Sequence, residues 1–161
     1  LGTVNIFTQG TGDTLVFLED GFAAKRVKVN GVERNFVEYA REKALDFRLP
    51  LVADYFGTMV NVSFQAADEA AGQVTFYAPV FAGMEYRQAA PVKDYVEEFT
   101  SALPLQAAPS IKFSCNCILN YLYSELEGKR TAGITGPITF GEIAYQLLNQ
   151  TMTYLTLTRY G

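Results

Sequence analysis

The sequence predicts an α+β fold, a largely antiparallel sheet with about three helices packed on it. Three observations predict this. Short apolar runs, several of them alternating, are separated by Gly, Asn and Asp turn signals at hairpin spacing. Three longer stretches carry apolar residues at helical intervals, each behind a residue suited to starting a helix. Hydrophobic residues make up 49% of the chain, enough for a sizeable core, and 161 residues are about one domain's worth. The span 1–161 is therefore expected to be a single domain.

The elements follow in order. Residues 4–7 suit a strand, although Gly2, Gly10 and Gly12 predict a loosely held start. Runs 14–19 and 22–29 are β-rich, and Asp20-Gly21 between them is a two-residue signal for a type I′ hairpin. Asn30-Gly31 is a second turn. Asn35 starts a helix, with Glu38 at the capping-box spacing. Phe36, Ala40, Ala44 and Phe47 give that helix one apolar face, and residues 48–50 end it. Residues 51–55 form a short strand that Gly57 breaks. Residues 58–65 alternate: Val60, Val62 and Phe64 face inward, and Asn61, Ser63 and Gln65 form a strip that solvent explains. Residues 66–73 turn the chain and 74–81 pair back. Pro79 lacks an amide donor, which predicts an edge or a bulge. Residues 84–88 add a strand. Pro91 is expected to open the next helix. Val92, Tyr95, Val96, Phe99 and Leu103 form its apolar face, and Pro104 stops it. Residues 105–109 read as a linker within the domain. Residues 111–115 form a strand, and Asn116 is expected to cap a helix with the stripe Leu119, Leu122 and Leu126, closed by Gly128. After a loop over 131–137, residues 138–144 form a strand broken at Gly141. The last strand, 151–158, changes phase from Met152 and Tyr154 to Leu155 and Leu157, which predicts a bulge or burial on both faces.

Composition limits the partners. A net charge of −4 argues against nucleic acid, and Lys25, Arg26 and Lys28 read as a solvated strand face. No apolar run reaches the roughly 20 residues that span a bilayer, so no membrane partner is expected. With no charged-then-apolar leader, the expected setting is cytoplasmic and reducing. The first residue is Leu1, so the chain is expected to be a piece of a longer protein. The absence of histidine removes the Ser-His-Asp and Cys-His arrangements and the usual zinc sets within this chain. Cys115 and Cys117 alone cannot fill four zinc positions, and their spacing does not suit an unstrained disulfide. Neither a metal nor a cofactor is expected.

The polar residues Cys115, Asn116, Thr139, Glu142, Asn149 and Gln150 sit between apolar segments and so need partners. Glu142 lies within TFGEIA. A carboxylate there is a structural anchor or a ligand-binding acid that receives an amino group. Cys115 stands before a helix start, where the helix field lowers a thiol pKa and free amides accept an anion. It is equally a small buried hydrophobe, and no base accompanies it. Asn149 and Gln150 read a polar ligand or close a turn. Asp54 is a weaker candidate.

Five short pieces occur in order along the chain. They are 29–31 (VNG) with a helix and 49–51 (LPL), the hairpin 72–83, Phe113-Ser114-Cys115, 138–143 (ITFGEI), and Asn149-Gln150-Thr151. Together they resemble the C-terminal part of the FIST sensory domain. After Cys115 that family commonly has a residue, a Gly and an Arg, whereas this chain has Asn116, Cys117 and Ile118. The resemblance implies an intracellular sensory module for a small ligand, amino acids included, working with an N-terminal half or a signalling partner. It implies roles for Ser114, Cys115, Thr139, Gly141, Glu142, Asn149 and Thr151. The expectation is a non-catalytic module holding a small polar or zwitterionic ligand near Cys115, Glu142 and Asn149. The helix start at Asn116 would take negative charge, and Glu142 positive charge. Two rivals stand beside it: an enzyme with Cys115 as nucleophile, completed by a missing half, and a self-associating structural module forming a homodimer through its aromatic surface.

Overall fold

The structure, a computed structural model, describes residues 1–103, 111–129, 134, 136–143 and 146–157, with Glu142 and Ile143 described by backbone alone. The linker expected at 105–109 lies outside the described residues. The chain is α+β and dominated by antiparallel sheet. Its described elements, fifteen strands and three short helices, fall into four sheets rather than one. They divide between two compact units, one over Phe7–Pro91 and one made of Leu1–Ile6 with Val92–Gly161.

The chain begins with β1 (Gly2–Val4), which belongs to the second unit. In the first unit, β2 (Leu15–Phe17) is followed by β3 (Gly21–Ala24), β4 (Arg26–Val29) and β5 (Val32–Asn35). The hairpin expected at Asp20-Gly21 does not form. β2 pairs instead with β4, Phe17 opposite Val27, so that Leu15, Phe17, Val27 and Val29 are buried together. A type I′ turn needs positive φ at both central residues, and only Gly21 of that pair has it. Asn30 and Gly31 do satisfy it, at φ 49° and 87°, and join β4 to β5. Arg26 and Lys28 face solvent between the buried valines, as their pattern predicts.

Helix α1 (Phe36–Glu42) starts where expected, with the Asn35 side chain accepting from the Glu38 amide at 3.1 Å. It ends sooner than its apolar pattern. Ala44 enters the left-handed region at φ 48°, its amide bonds to Arg41 O, and the Leu45 amide bonds to Ala40 O. That is a Schellman closure with alanine in glycine's usual place. Phe47, freed from the helix, stacks on Phe64 at 4.5 Å.

The strand expected over 58–65 is two strands. β6 (Leu51–Tyr55) and β7 (Thr58–Val62) form a hairpin, and after a break at Ser63 the chain runs on as β8 (Phe64–Asp68). β8 and β3 flank β9 (Gln73–Val80), so the turn expected over 66–73 is shorter. With β10 (Glu85–Gln88), the larger sheet runs β5-β4-β2-β10-β6-β7. Because the 58–68 segment passes from one sheet to another, both its faces are covered at the crossing. Asn61 and Ser63 are fully buried, not solvated. The β3–β9 register skips residues 76–79, the irregularity that Pro79 predicts. Phe17 sits at the centre of the core, edge-on to Phe36, Phe76 and Tyr86 at 5.3–5.6 Å. Such pairs add about 0.5–1.5 kcal/mol each beyond their buried area.

In the second unit, α2 (Tyr95–Ala102) is capped by Asp94, whose side chain accepts from the Glu97 amide. It therefore starts after Pro91, not at it. The aspartate supplies an acceptor for a free amide, and the proline has none to give. The central strand β11 (Ile111–Cys117) runs into α3 (Ile118–Tyr123). The strand expected over 138–144 divides at Gly141 into β12 (Ile138–Thr139) and β13 (Glu142–Ile143). β14 (Leu147–Leu148) pairs back on β13, and β15 (Met152–Thr156) completes a sheet ordered β1-β15-β11-β12. Burial on both faces holds only at the start of β15, where Met152 and Thr153 are both buried. Leu155 and Leu157 are exposed, and the register shift puts its extra residue, Lys112, on β11. Pairing with β15 buries Val4, so the start is held rather than loose.

Candidate functional site

β11 lies between β15, antiparallel, and β12, parallel. Directly opposed residues on paired strands share a face, and successive residues alternate. The register Ser114↔Tyr154, Asn116↔Met152 and Asn116↔Ile138 thus gathers one face, and Cys115↔Thr153 with Cys117↔Thr139 gathers the other. A cavity of about 240 Å³ is lined by Ser114, Asn116, Met152 and Ile138 of the first face, with Phe99 and Leu126 around it. The exposed Lys129 adds a cation to its lining. Gly136 permits the close approach of main chain behind Ser114, since a Cβ there would collide with the Ser114 carbonyl oxygen.

Asn116 does not cap the helix. Pairing with β12 and β15 holds it in β11, and the cap is Cys117, which makes no side-chain cap bond. Asn116 Oδ1 accepts instead from Asn120 Nδ2 at 2.8 Å, and its side chain also bonds the Tyr95 phenol. Burial raises the Tyr95 pKa, and the bond from Asn116 opposes that rise. Asn120 is fully buried, and its Oδ1 has no hydrogen-bond partner among the described residues. A helix as short as α3 has little dipole to offer an anion. Of the expected stripe, Leu119 and Leu126 are buried but Leu122 is 58% exposed.

Cys115 also borders the cavity, yet the register assigns its thiol to the opposite face, where Sγ lies 3.0 Å from Thr153 Oγ1. A threonine hydroxyl is not a base at neutral pH, so this contact does not activate the sulfur. Cys115 and Cys117 are not joined in a disulfide.

The remaining predicted residues lie elsewhere in the same unit. Thr139 Oγ1 donates a long bond, 3.4 Å, to Asn116 O. Gly141, at φ 147°, abuts Leu147 and Asn149: a Cβ there would lie 3.0 Å from Leu147 Cδ1 and 3.7 Å from Asn149 Nδ2. Glu142 pairs through its backbone with Leu148, and its side chain lies outside the described structure. Asn149, Gln150 and Thr151 are buried in a tight bend, with Gln150 at φ 43° and Thr151 Oγ1 donating to Asn149 O at 2.8 Å. Asn149 and Gln150 are not among the cavity's lining residues, and their geometry is that of a closed turn. Asp54, in the other unit, accepts from the Gly57 amide at 2.6 Å and serves the β6–β7 turn.

The structure thus brings Ser114, Cys115 and Asn116 to one cavity and sets Asn149 and Gln150 behind it in sequence but outside its wall. Lys129, Phe99 and Met152 were missed as site residues. A lysine after a glycine and an apolar residue on a helix carry no local signal of a site. A second cavity, about 370 Å³ and in the first unit, is bordered by Phe17, Ala24, Lys25 and Gln73 and includes none of the predicted residues. Among the described residues no group of three His, Cys, Asp or Glu is placed to hold a metal, and no helix is long and apolar enough to cross a membrane.

A family model described as a family of unknown function, DUF6976, matches residues 1–158. No curated protein and no solved structure matches the chain.

Proposed function

The chain belongs to the DUF6976 family, whose function is unknown, and for this member we propose a non-catalytic module that binds a small polar ligand in the cavity beside β11. The observation that carries this reading is the cavity's mixed wall. Buried Ser114 and part-buried Asn116 stand on the same sheet face as Met152 and Ile138. A few convergent polar groups on an apolar wall are what orient a small ligand. A sensory role is the setting that the FIST resemblance would add. Against catalysis stand the Cys115 thiol, on the other face beside Thr153, and the lack of histidine.

A panel of amino acids and small acids, followed by thermal shift and by amide chemical shifts at residues 114–116 and 152, tests this. A ligand that binds only the folded chain stabilises by mass action, about 2.7 kcal/mol at a hundredfold excess over Kd. At least one compound is expected to raise Tm with dose and to move those amides. Ile138→Trp, which fills the cavity, is expected to abolish both effects. A panel without response, or a response unaffected by Ile138→Trp, overturns the reading. Rapid, pH-dependent labelling of Cys115 by a thiol probe would instead favour a nucleophile.

A further inference from the structure

We infer that the occupant of this cavity is a small organic monoanion, a carboxylate on a short apolar body, with Lys129 as its counter-charge; this rests on the binding role proposed above. Lys129 is the one charged side chain among the described residues that line the cavity. It makes no ion pair among the described residues, where the cationic groups in ion pairs are Arg26, Arg34, Arg41, Lys43 and Arg48. Lys129 is exposed, so its attraction for an anion in the cavity is partly screened by solvent and depends on salt.

The rest of the lining narrows the class. No carboxylate is among the described lining residues, so the ammonium of an amino acid would enter without a partner, at a desolvation cost. Ser114, almost fully buried, stands on the cavity wall, and a carboxylate is an acceptor that the Lys129 ammonium suits. Phe99, Leu126, Ile138 and Met152 provide for an apolar tail and nothing for a second charge. The volume of about 240 Å³ is roughly eight waters' share of liquid, room for a short chain or one ring rather than a nucleotide. A phosphate dianion would want a second cation or a cradle of amides, and β11 spends its amides on two neighbouring strands.

Four probes of one body but different charge test this by titration calorimetry and amide chemical shifts: hexanoate, norleucine, hexanol and hexylamine. Hexanoate is expected to bind about tenfold or more tightly than norleucine or hexanol, and hexylamine not to bind. Its shifts are expected at Ser114, Asn116 and Met152. Lys129→Met is expected to weaken hexanoate about tenfold while leaving hexanol unchanged, and Lys129→Arg to restore most of the affinity. Added salt is expected to weaken hexanoate alone. Norleucine binding at least as tightly as hexanoate, or hexanoate binding unchanged in Lys129→Met, overturns the monoanion while the cavity reading survives. Failure of every probe and of the wider panel overturns both.

Discussion

Two residues carry charge and strain that a change of one side chain can expose. Ala44 holds the left-handed closing position of α1, which glycine occupies without steric cost. Ala44→Gly is expected to stabilise the protein by about 0.5–1 kcal/mol, read as a higher urea midpoint at unchanged slope. Asp13 accepts from Asn30 Nδ2 at 2.8 Å, Tyr39 at 3.1 Å and Lys43 Nζ at 3.2 Å. The bond from Asn30, followed by that from Lys43, holds its carboxyl below the ordinary 3.8. A carboxyl depressed by folding contributes stability that is fully present above its unfolded value. That contribution is lost as pH falls through the folded value. Asp13→Asn is therefore expected to flatten the loss of stability below about pH 4, measured as Tm against pH. The donors on Asp13 come from the Asn30 turn and from α1 with its cap, both distant in sequence, so nothing local announces that cluster.

At the scale of elements, the Asn35 cap was readable, whereas the starts of α2 and α3 and the helix ends were not. Asn35 and Asp94 each precede a Glu by three residues, and each accepts that residue's amide. Asn35→Ala and Asp94→Ala are each expected to cost about 1 kcal/mol in denaturant unfolding, with Ser at either position restoring most of it. The spacing at 94–97 is as plain as that at 35–38, but Pro91 upstream is a competing start signal, and the bond to Glu97 decides between them. Helix C-termini and strand partners depend on what the segment packs against. Phe47 fits the face of α1 by spacing, yet its ring stacks on Phe64. Gly136 illustrates the same dependence. Its sequence context marks a loop, and only the path of β11 places the Ser114 carbonyl where a side chain would be. Gly136→Ala is expected to lower Tm by several degrees and to abolish hexanoate binding, because main chain must move away from the cavity wall.

For the whole molecule, buried phenols give the broadest prediction. Burial pushes the Tyr39 pKa up to about 12, with the Asp13 bond adding to it, and burial also raises Tyr55, Tyr86 and Tyr95. A group raised by folding contributes stability that is whole below its unfolded value, 10.0 for tyrosine. The contribution is lost as pH rises through the folded value. Both units hold such groups, so alkaline unfolding is expected above about pH 10, with phenolate absorbance rising together with the loss of near-ultraviolet dichroism. Phenolate that appears well before unfolding would contradict this burial. The sequence by itself determined the local structure: the α+β class, the Asn30-Gly31 turn, the Asn35 cap and the break at Gly141. Each of these depends on dihedral preference, on a hydrogen bond within a few residues or on strand alternation, which neighbours in the chain suffice to set. Only the tertiary structure decided that β2 pairs with β4, that Asn61 and Ser63 are buried, that Cys115 faces Thr153, and that Lys129 lies at the same cavity as Ser114. Pairing across a sheet and convergence on a cavity are set by the apolar area that distant segments bury together, and no short window of sequence contains that quantity.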